Sequence, residues 1–381
     1  MNKAFRLLLM LGLSLAIGTP FTSHAQDSQG SKRDSGRGVF VMNNDAYHNA
    51  VLTYRRESDG SLTKGANFLT GGRGSGGTTD PLGSQGSLTL SSDGSLLFAV
   101  NAGSGELSMF RVSGSSLRLL DVAACGGSEP VAVAQHGDLV YLVNAGGTSN
   151  VVGFRIYGNQ KLKRIPNASA LLSTGNSGPG SIQFSPDGNF LLVTEKATNR
   201  IDSFRVLGDG TLGPLVSTPS AGPGAFAVTF AANGAALVAE TGPAGGTNAS
   251  AISSYAVAGN GTFVPITTSV PTLGAATCWL EITPDQRFVY TANSASSALS
   301  GFALAHDGSL TPLPGTVLAT LAAGSTDIDF AISSDGRFLY TLNTGSGTIG
   351  IFGIAEDGSL NSLGEVGGLL AKSGFNGLAA N

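Results

Sequence analysis

The sequence predicts an all-β fold: a seven-bladed β-propeller of four-stranded antiparallel blades, closed by the C-terminal strand joining the N-terminal blade. Three observations predict it. One segment recurs seven times, each copy is built from short strands and Gly-containing turns, and the two chain ends supply complementary parts of one copy. The clearest copy is Phe338-Leu339-Tyr340-Thr341-Leu342-Asn343, followed by Gly347–Phe352 and Asp357-Gly358-Ser359-Leu360. Others lie at Phe288–Asn293, Phe190–Glu195 and Leu96–Asn101, with weaker ones at Leu139–Asn144, Ala236–Glu240 and Val39–Asn43. Their last residues are Asn43, Asn101, Asn144, Glu195, Glu240, Asn293 and Asn343, spaced by 43 to 58 residues. A period of this length made of alternating strands is that of a propeller blade.

Within one repeat each strand can be justified in turn. Ser181-Ile182-Gln183-Phe184 is a short apolar strand ended by Ser185-Pro186-Asp187-Gly188, whose Pro and Gly suit a tight turn. Phe190–Thr194 is rich in residues that fit a pleated surface. Ile201–Val206 alternates apolar and polar side chains with period two, and Asp209-Gly210 is a hairpin signal before a fourth, outer strand. Helical spacing of apolar residues is absent after the first 25 residues. Gly38–Asn43 begins the first repeat with no innermost strand before it, and Phe375–Ala380 is an innermost-type strand with no blade after it. Joining them removes exposed sheet edges.

The first 25 residues carry Lys3 and Arg6, an apolar run from Leu7 to Ile17, and Ser23-His24-Ala25, the pattern of a cleaved secretory signal. The expected organisation is signal peptide 1–25, flexible Ser/Gly-rich leader 26–37 and propeller 38–381, with a periplasmic or secreted location. Cleavage leaves 19 basic against 25 acidic residues, a net charge of −6. There is no basic stripe, so nucleic acid is excluded as a partner, and no stretch predicts a membrane span. A monomer is expected. The 56 glycines suit a fold with many turns. Cys125 and Cys278 precede innermost strands of nearly opposite blades and are read as buried thiols, not a disulfide.

The fold places the Asp-Gly turns on one face and the loops after the second strands on the other, around the channel mouth. Five Asn and two Glu end those strands. Asn side chains there cap turns or bind ligand, and Asn144, Asn293 and Asn343 are the candidate binders. Glu195, with Lys196, Asn199 and Arg200 close behind it, is either a solvated ion pair or a site where a carboxylate polarises water and a cation holds an oxyanion. Glu240, before a Gly-rich loop, is a second candidate. Near the mouth also lie Asp45, His48, Glu129, Glu281, Asp327, Asp329 and Trp279, the only tryptophan, which is either a core residue or a sugar-stacking platform. The alternative reading of Glu281 and Asp329 is as hydrogen-bond partners between blades. His136 stands where other repeats have the Asp of the turn. The histidines lack metal-ligand spacing, and no nucleophile elbow occurs, so neither metal nor cofactor is expected.

The repeat Ser185-Pro186-Asp187-Gly188-x-Phe190-Leu191, then Arg200-Ile201-x-x-Phe204-x-Val206, then Asp357-Gly358-Ser359-Leu360-x-x-Leu363 resembles the lactonase family of seven-bladed propellers, the 6-phosphogluconolactonase and carboxymuconate cyclase type. Trp-Asp repeats are absent. Surface-layer propellers share Tyr340–Asn343 and Tyr290–Asn293, but the Asp-Gly-Ser-Leu hairpin favours the lactonase type. The resemblance implies a catalytic His where this chain has Gly180, and an Arg-His pair within Gly224-Ala225-Phe226-Ala227. It matches the family's Glu with Glu240 and its Asp-Arg with Asn199-Arg200. It implies an exported hydrolase of a sugar lactone such as gluconolactone, with Glu240 as general base and Arg200 at the oxyanion. Glu195, Lys196, Asn199, Asn144, Asn293, Asn343 and Trp279 would bind substrate. The alternative is a non-catalytic propeller that binds a glycan, peptide or envelope protein after loss of the His and Arg.

Overall fold

A computed structural model describes residues 37–158, 160–243 and 246–381. The expected signal and the leader up to residue 36 lie outside them. The described chain forms seven four-stranded antiparallel sheets, and no helix in it is long and apolar enough to cross a membrane. Blades 2 to 7 run in chain order from their inner strands, Leu88–Leu90, Ser128–His136, Pro179–Phe184, Ala225–Phe230, Thr277–Ile282 and Asp327–Ile332. Blade 1 takes its inner strand, Leu378–Ala380, from the other end of the chain.

Burial falls from second strand to edge. The second strand of blade 4, Phe190–Glu195, is buried throughout; the third, Arg200–Val206, is buried through its middle; the outer strand, Leu212–Pro219, is half exposed. Turns repeat with their polar residues engaged. Asp187 Oδ1 accepts bonds from Asn189 N at 3.0 Å and Ser185 Oγ at 2.6 Å, while Ser185 Oγ accepts from Phe190 N at 2.9 Å. These contacts recur around Asp93, Asp285 and Asp335.

The Asp-Gly hairpins do more than turn the chain. Tyr290 Oη donates to Gly358 O at 2.8 Å, and Tyr340 Oη to Gly60 O at 3.0 Å, each reaching into the next blade. Gly60 lies at φ 89°, and a Cβ there would sit 2.4 Å from the Phe338 ring. Only glycine fits both the backbone angle and the docked face. His136 packs on Phe184 of blade 4, its ring centroid 5.8 Å away, which is a structural place in the same pattern.

Ring closure follows the expected pairing: Val39, Phe40 and Val41 face Ala380, Ala379 and Leu378. Asn381 N donates to Gly38 O at 3.0 Å. Beside it the fully buried Arg56 pairs with Asp335 of blade 7 at 3.1 Å and lies over the Phe338 ring. Cys125 and Cys278 are both free.

Candidate active site

The residues that end the second strands do not face the open mouth. Asn43 is half-buried and accepts from Asp45 N and Ala50 N of its own blade, whereas the other six side chains are buried. Asn101 Oδ1 accepts from Thr70 Oγ1 at 2.6 Å and Asn49 Nδ2 at 2.9 Å, and its Nδ2 donates to Ser108 Oγ at 2.7 Å. Asn293 repeats this with Thr277 and Ser300. Asn144 donates to Asn150 at 3.0 Å, and Asn343 to Thr348 at 3.2 Å. A Cβ on Gly72 or Gly274, in the crossovers, would lie 2.5 or 2.3 Å from the Asn101 or Asn293 side chain. Asn144, Asn293 and Asn343 are thus latches at the strand ends: Asn144 also reaches the crossover at Cys125 O, 3.4 Å away, while the bonds of Asn293 and Asn343 stay within their own blades.

The two glutamates occupy the same latch position. Glu240 is 1 % exposed. Its carboxylate accepts from Gly222 N at 2.9 Å, Ser253 Oγ at 2.6 Å, Ser269 Oγ at 2.8 Å and Ser220 Oγ at 3.4 Å. Glu195 accepts from Ser173 N at 2.9 Å and from the Ser173 and Thr198 hydroxyls. Asp202 shares the Ser173 N–H at 3.2 Å. Burial, and then Glu195 alongside, push Asp202 up to about 7. Burial also opposes charge on Glu195, but bonds from Asp202, Ser173 and Thr198 outweigh it and hold Glu195 below the usual range. The two carboxyl groups thus share the Ser173 N–H, and Lys196 and Arg200 bond to Gly83 and Ser217 and not to Glu195. Arg200 donates to Ser217 Oγ at 2.6 Å and Ser217 O at 2.8 Å, and Asn199 Oδ1 accepts from Gly224 N at 2.6 Å. Glu240 and Asn199 thus hold the crossover that follows blade 4, Arg200 holds the end of the outer strand leading into it, and no bond joins Glu240 to Arg200.

The mouth itself is occupied by a segment the sequence reading passed over. The crossover from blade 1 to blade 2 is long, and its residues Thr78–Gln85 bond to four blades. Asn376 Nδ2 donates to Asp80 Oδ1 at 2.9 Å in blade 1, and Ser84 Oγ to Val131 O at 2.7 Å in blade 3. Gln85 N donates to Gly180 O at 2.8 Å in blade 4, and Gln85 Nε2 to Leu280 O at 3.0 Å in blade 6. Only a segment near the axis reaches inner strands so far apart around the ring. It is a plug. Its signal in the sequence was the 58-residue step from Asn43 to Asn101, the longest of the six.

Lys196 and Trp279 both serve the plug. Lys196 Nζ donates to Gly83 O and sits 4.9 Å from the Phe226 ring centroid. Trp279 is fully buried, with Nε1 donating to Ser84 O at 3.3 Å and Phe226 against its ring at 5.2 Å. Its faces are covered, which leaves the core reading and not the stacking platform.

Beside the plug a pocket of about 330 Å³ opens between blades 6 and 7, lined by Thr79, Asp80, Cys278, Ser294, Ser297 and Thr326. Asp80 is part-exposed in its wall. Burial pushes Asp80 up to about 6, against the pull of Lys196, Asn376 and the Gly83 N–H. Burial pushes the Lys196 ammonium down and the Cys278 thiol up. Asp80, Ala276, Ser297 and Thr326 all have positive φ, between 41° and 54°. At the positions of Ala276 and Thr326, blades 4 and 5 have Gly178 and Gly224, also at positive φ. Blades 6 and 7 therefore carry side chains into this wall at a backbone cost of about 1–2 kcal/mol each.

Below the plug, a channel of about 210 Å³ is lined by Gln183, Glu281 and Asp329 among others. Gln85 Nε2 donates to Glu281 Oε1 at 3.1 Å, and Asp329 accepts from Phe330 N at 2.9 Å and Leu378 N at 2.8 Å. Burial pushes Glu281 up to about 7 and Asp329 well above the carboxylate range. Asp327, pushed to about 8 by burial, has no hydrogen-bond partner on either oxygen among the described residues. Asp45 caps its own loop through Tyr47 N and His48 N, and Glu129 is exposed. Grooves on the opposite face, of about 400 and 510 Å³, hold Asp187 and Asp285, whose carboxylates are committed to their own turns.

The description of the lactonase seven-bladed β-propeller family matches residues 34–241 and 228–327. The chain belongs to this family. Among solved structures, the periplasmic gluconolactonase of Pseudomonas aeruginosa superposes with a TM-score of 0.67 at 17 % identity, covering 90 % of this chain and 98 % of that one. A Bacteroides fragilis protein assigned as a 6-phosphogluconolactonase gives 0.67 at 17 % identity, with 92 % and 99 % coverage. A Lactobacillus plantarum protein gives 0.69 at 17 %, with 91 % and 98 %. These likenesses show the fold. No curated protein sequence matches the chain. The family's His position is closed here, since a Cβ on Gly180 would lie 2.4 Å from Phe226 O.

Proposed function

We propose that this lactonase-family chain is an exported hydrolase of a sugar lactone, acting in the pocket beside the plug. One observation carries the reading: within a lactonase fold, the open pocket at the mouth combines a part-exposed carboxylate, Asp80, with the hydroxyls of Thr79, Ser294, Ser297 and Thr326. Hydroxyls and a carboxylate suit a polyhydroxylated lactone and a water to be activated. The nearest cation, Lys196, is already engaged by Gly83 O and the Phe226 ring, which favours an unphosphorylated substrate. The gluconolactonase among the structural neighbours is periplasmic, in keeping with the signal read at residues 1–25.

The expected chemistry of Glu240 and Arg200 would require the crossover after blade 4 to move away, because it covers Glu240. In the structure's arrangement Glu240 positions that crossover and Arg200 the outer strand leading into it. The test is hydrolysis by the purified protein beginning at Gln26, with glucono-δ-lactone and its 6-phosphate in parallel, above the spontaneous rate. Turnover of the unphosphorylated lactone is expected. The closed Gly180 position favours a second reading, a propeller that binds a glycan without chemistry. No excess hydrolysis across several sugar lactones would decide for it.

A further inference from the structure

We propose that Asp80 is the general base of this site and that Lys196 is the positioning residue that keeps it ionised. The assignment rests on the lactonase reading above.

Geometry separates Asp80 from every other acid near the axis. Glu240 is covered by its crossover, and Glu281 and Asp329 lie below the plug, where they hold Gln85 and Leu378. Cys278 lines the pocket, but burial keeps it a thiol. Asp80 alone among the carboxylates lines this pocket. Its Oδ1 accepts both structural bonds, from Gly83 N at 3.0 Å and Asn376 Nδ2 at 2.9 Å. Those two bonds fix the carboxyl group and leave Oδ2 for water. The residue stands at φ 41°, a conformation held by the turn that Gly83 N closes onto Asp80 O at 3.2 Å. Lys196 grips the far end of that turn through Gly83 O, so one short loop carries both the base and the contact to its cation.

The step balances with water alone. Asp80 Oδ2 takes a proton from a water whose oxygen bonds to the lactone carbonyl carbon. The tetrahedral oxyanion collapses, the ring C–O bond breaks, and the leaving oxygen takes the proton from Asp80. The carboxylate is restored and a hydroxy acid leaves. Burial places the group's titration near pH 6, so it is ionised at neutral pH yet basic enough to accept the proton.

Four proteins, wild type, D80N, K196M and E240Q, are compared in glucono-δ-lactone hydrolysis between pH 5 and 7 and in calorimetric binding of the non-hydrolysable gluconolactam. D80N keeps the acceptor oxygen that Gly83 and Asn376 require. It is expected to lose at least about 100-fold in kcat and to bind the lactam within about threefold of wild type. The wild-type rate should rise through an acid limb near pH 6. K196M should move that limb to higher pH, because removing the cation raises the Asp80 pKa. A merely structural role for Lys196 would not shift it. Hydrolysis by D80N at the wild-type rate, or loss in E240Q alone, overturns the base assignment and leaves the lactonase reading standing. Lactam binding by wild type without any hydrolysis overturns both and identifies a binding pocket; neither binding nor hydrolysis also overturns both.

Discussion

Glu195 in blade 4 and Glu240 in blade 5 occupy one position of the repeat, yet their surroundings differ in one residue of the third strand. Two residues along the third strand from the partners Ala251 and Arg200, that residue is Ser253 beside Glu240 and Asp202 beside Glu195. Glu240 is met by hydroxyls and a backbone N–H, so every neighbour can donate to it. Glu195 is met by a second carboxyl, and burial together with Glu195 favours a proton on Asp202. The difference teaches that a carboxylate standing out from a ring of asparagines need not mark chemistry. A latch that has Glu for Asn recruits either extra donors or an extra proton.

The largest effect should come from removing Glu240. E240A strands the buried Gly222 N–H and Ser253 hydroxyl, each costing about 1–3 kcal/mol, and frees the half-buried Ser269 hydroxyl. A loss of about 3 kcal/mol or more in urea unfolding is expected. A loss below about 1 kcal/mol would show that the crossover is not held by this residue.

Next is the pH response of blade 4. Asp202 in the folded protein titrates near 7, above its ordinary value, so the native state keeps a proton that the unfolded chain releases. Its contribution is therefore present at low pH and is lost as pH rises from about 4 toward 7. Glu195 is shifted the other way and offsets part of this near its ordinary pKa. D202N stays neutral at every pH. The variant should gain about 2 kcal/mol relative to wild type between pH 5 and pH 8. Parallel stability curves would mean that no proton is shared.

The smallest effect separates two asparagine latches. Asn293 uses both ends of its amide, whereas among the described residues Asn343 donates only to Thr348 and its Oδ1 has no partner. Blade 7 has Gly350 where blade 6 has Ser300. N293A should cost about 1 kcal/mol more than N343A in unfolding. Equal costs would remove the donor count as the explanation.

The fold was legible because each blade is local: the Asp-Gly hairpins, the period-two strands and the unpaired terminal halves all lie in short stretches of sequence. Even the closing of blade 1 by the two chain ends followed from Gly38–Asn43 and Phe375–Ala380. The site was less legible, because its parts come together only through the ring. Asp80 stands in a Gly-rich crossover with no strand pattern, and its partners, Asn376 and Lys196, are remote in sequence. Lys196 was singled out from its neighbours Glu195 and Arg200, yet it points to Gly83 and not to them. The ends of the second strands looked like mouth residues because sequence gives strand ends and not the direction of a buried amide. Only the length of the step from Asn43 to Asn101 hinted that something crosses the axis.

The closing bond between Gly38 and Asn381 joins residues 343 positions apart. Blades 2 to 7 are each contiguous hairpins, able to form as soon as their own residues meet, whereas this contact waits for the whole chain. Loop-closure entropy grows only slowly with length, but contacts of long separation form late. Until the last strand docks, the inner edge of Gly38–Met42 is unpaired and open to the wrong partner. The ring is thus a check on its own completeness: a chain shortened by a few residues keeps most of its blades and fails at the seam.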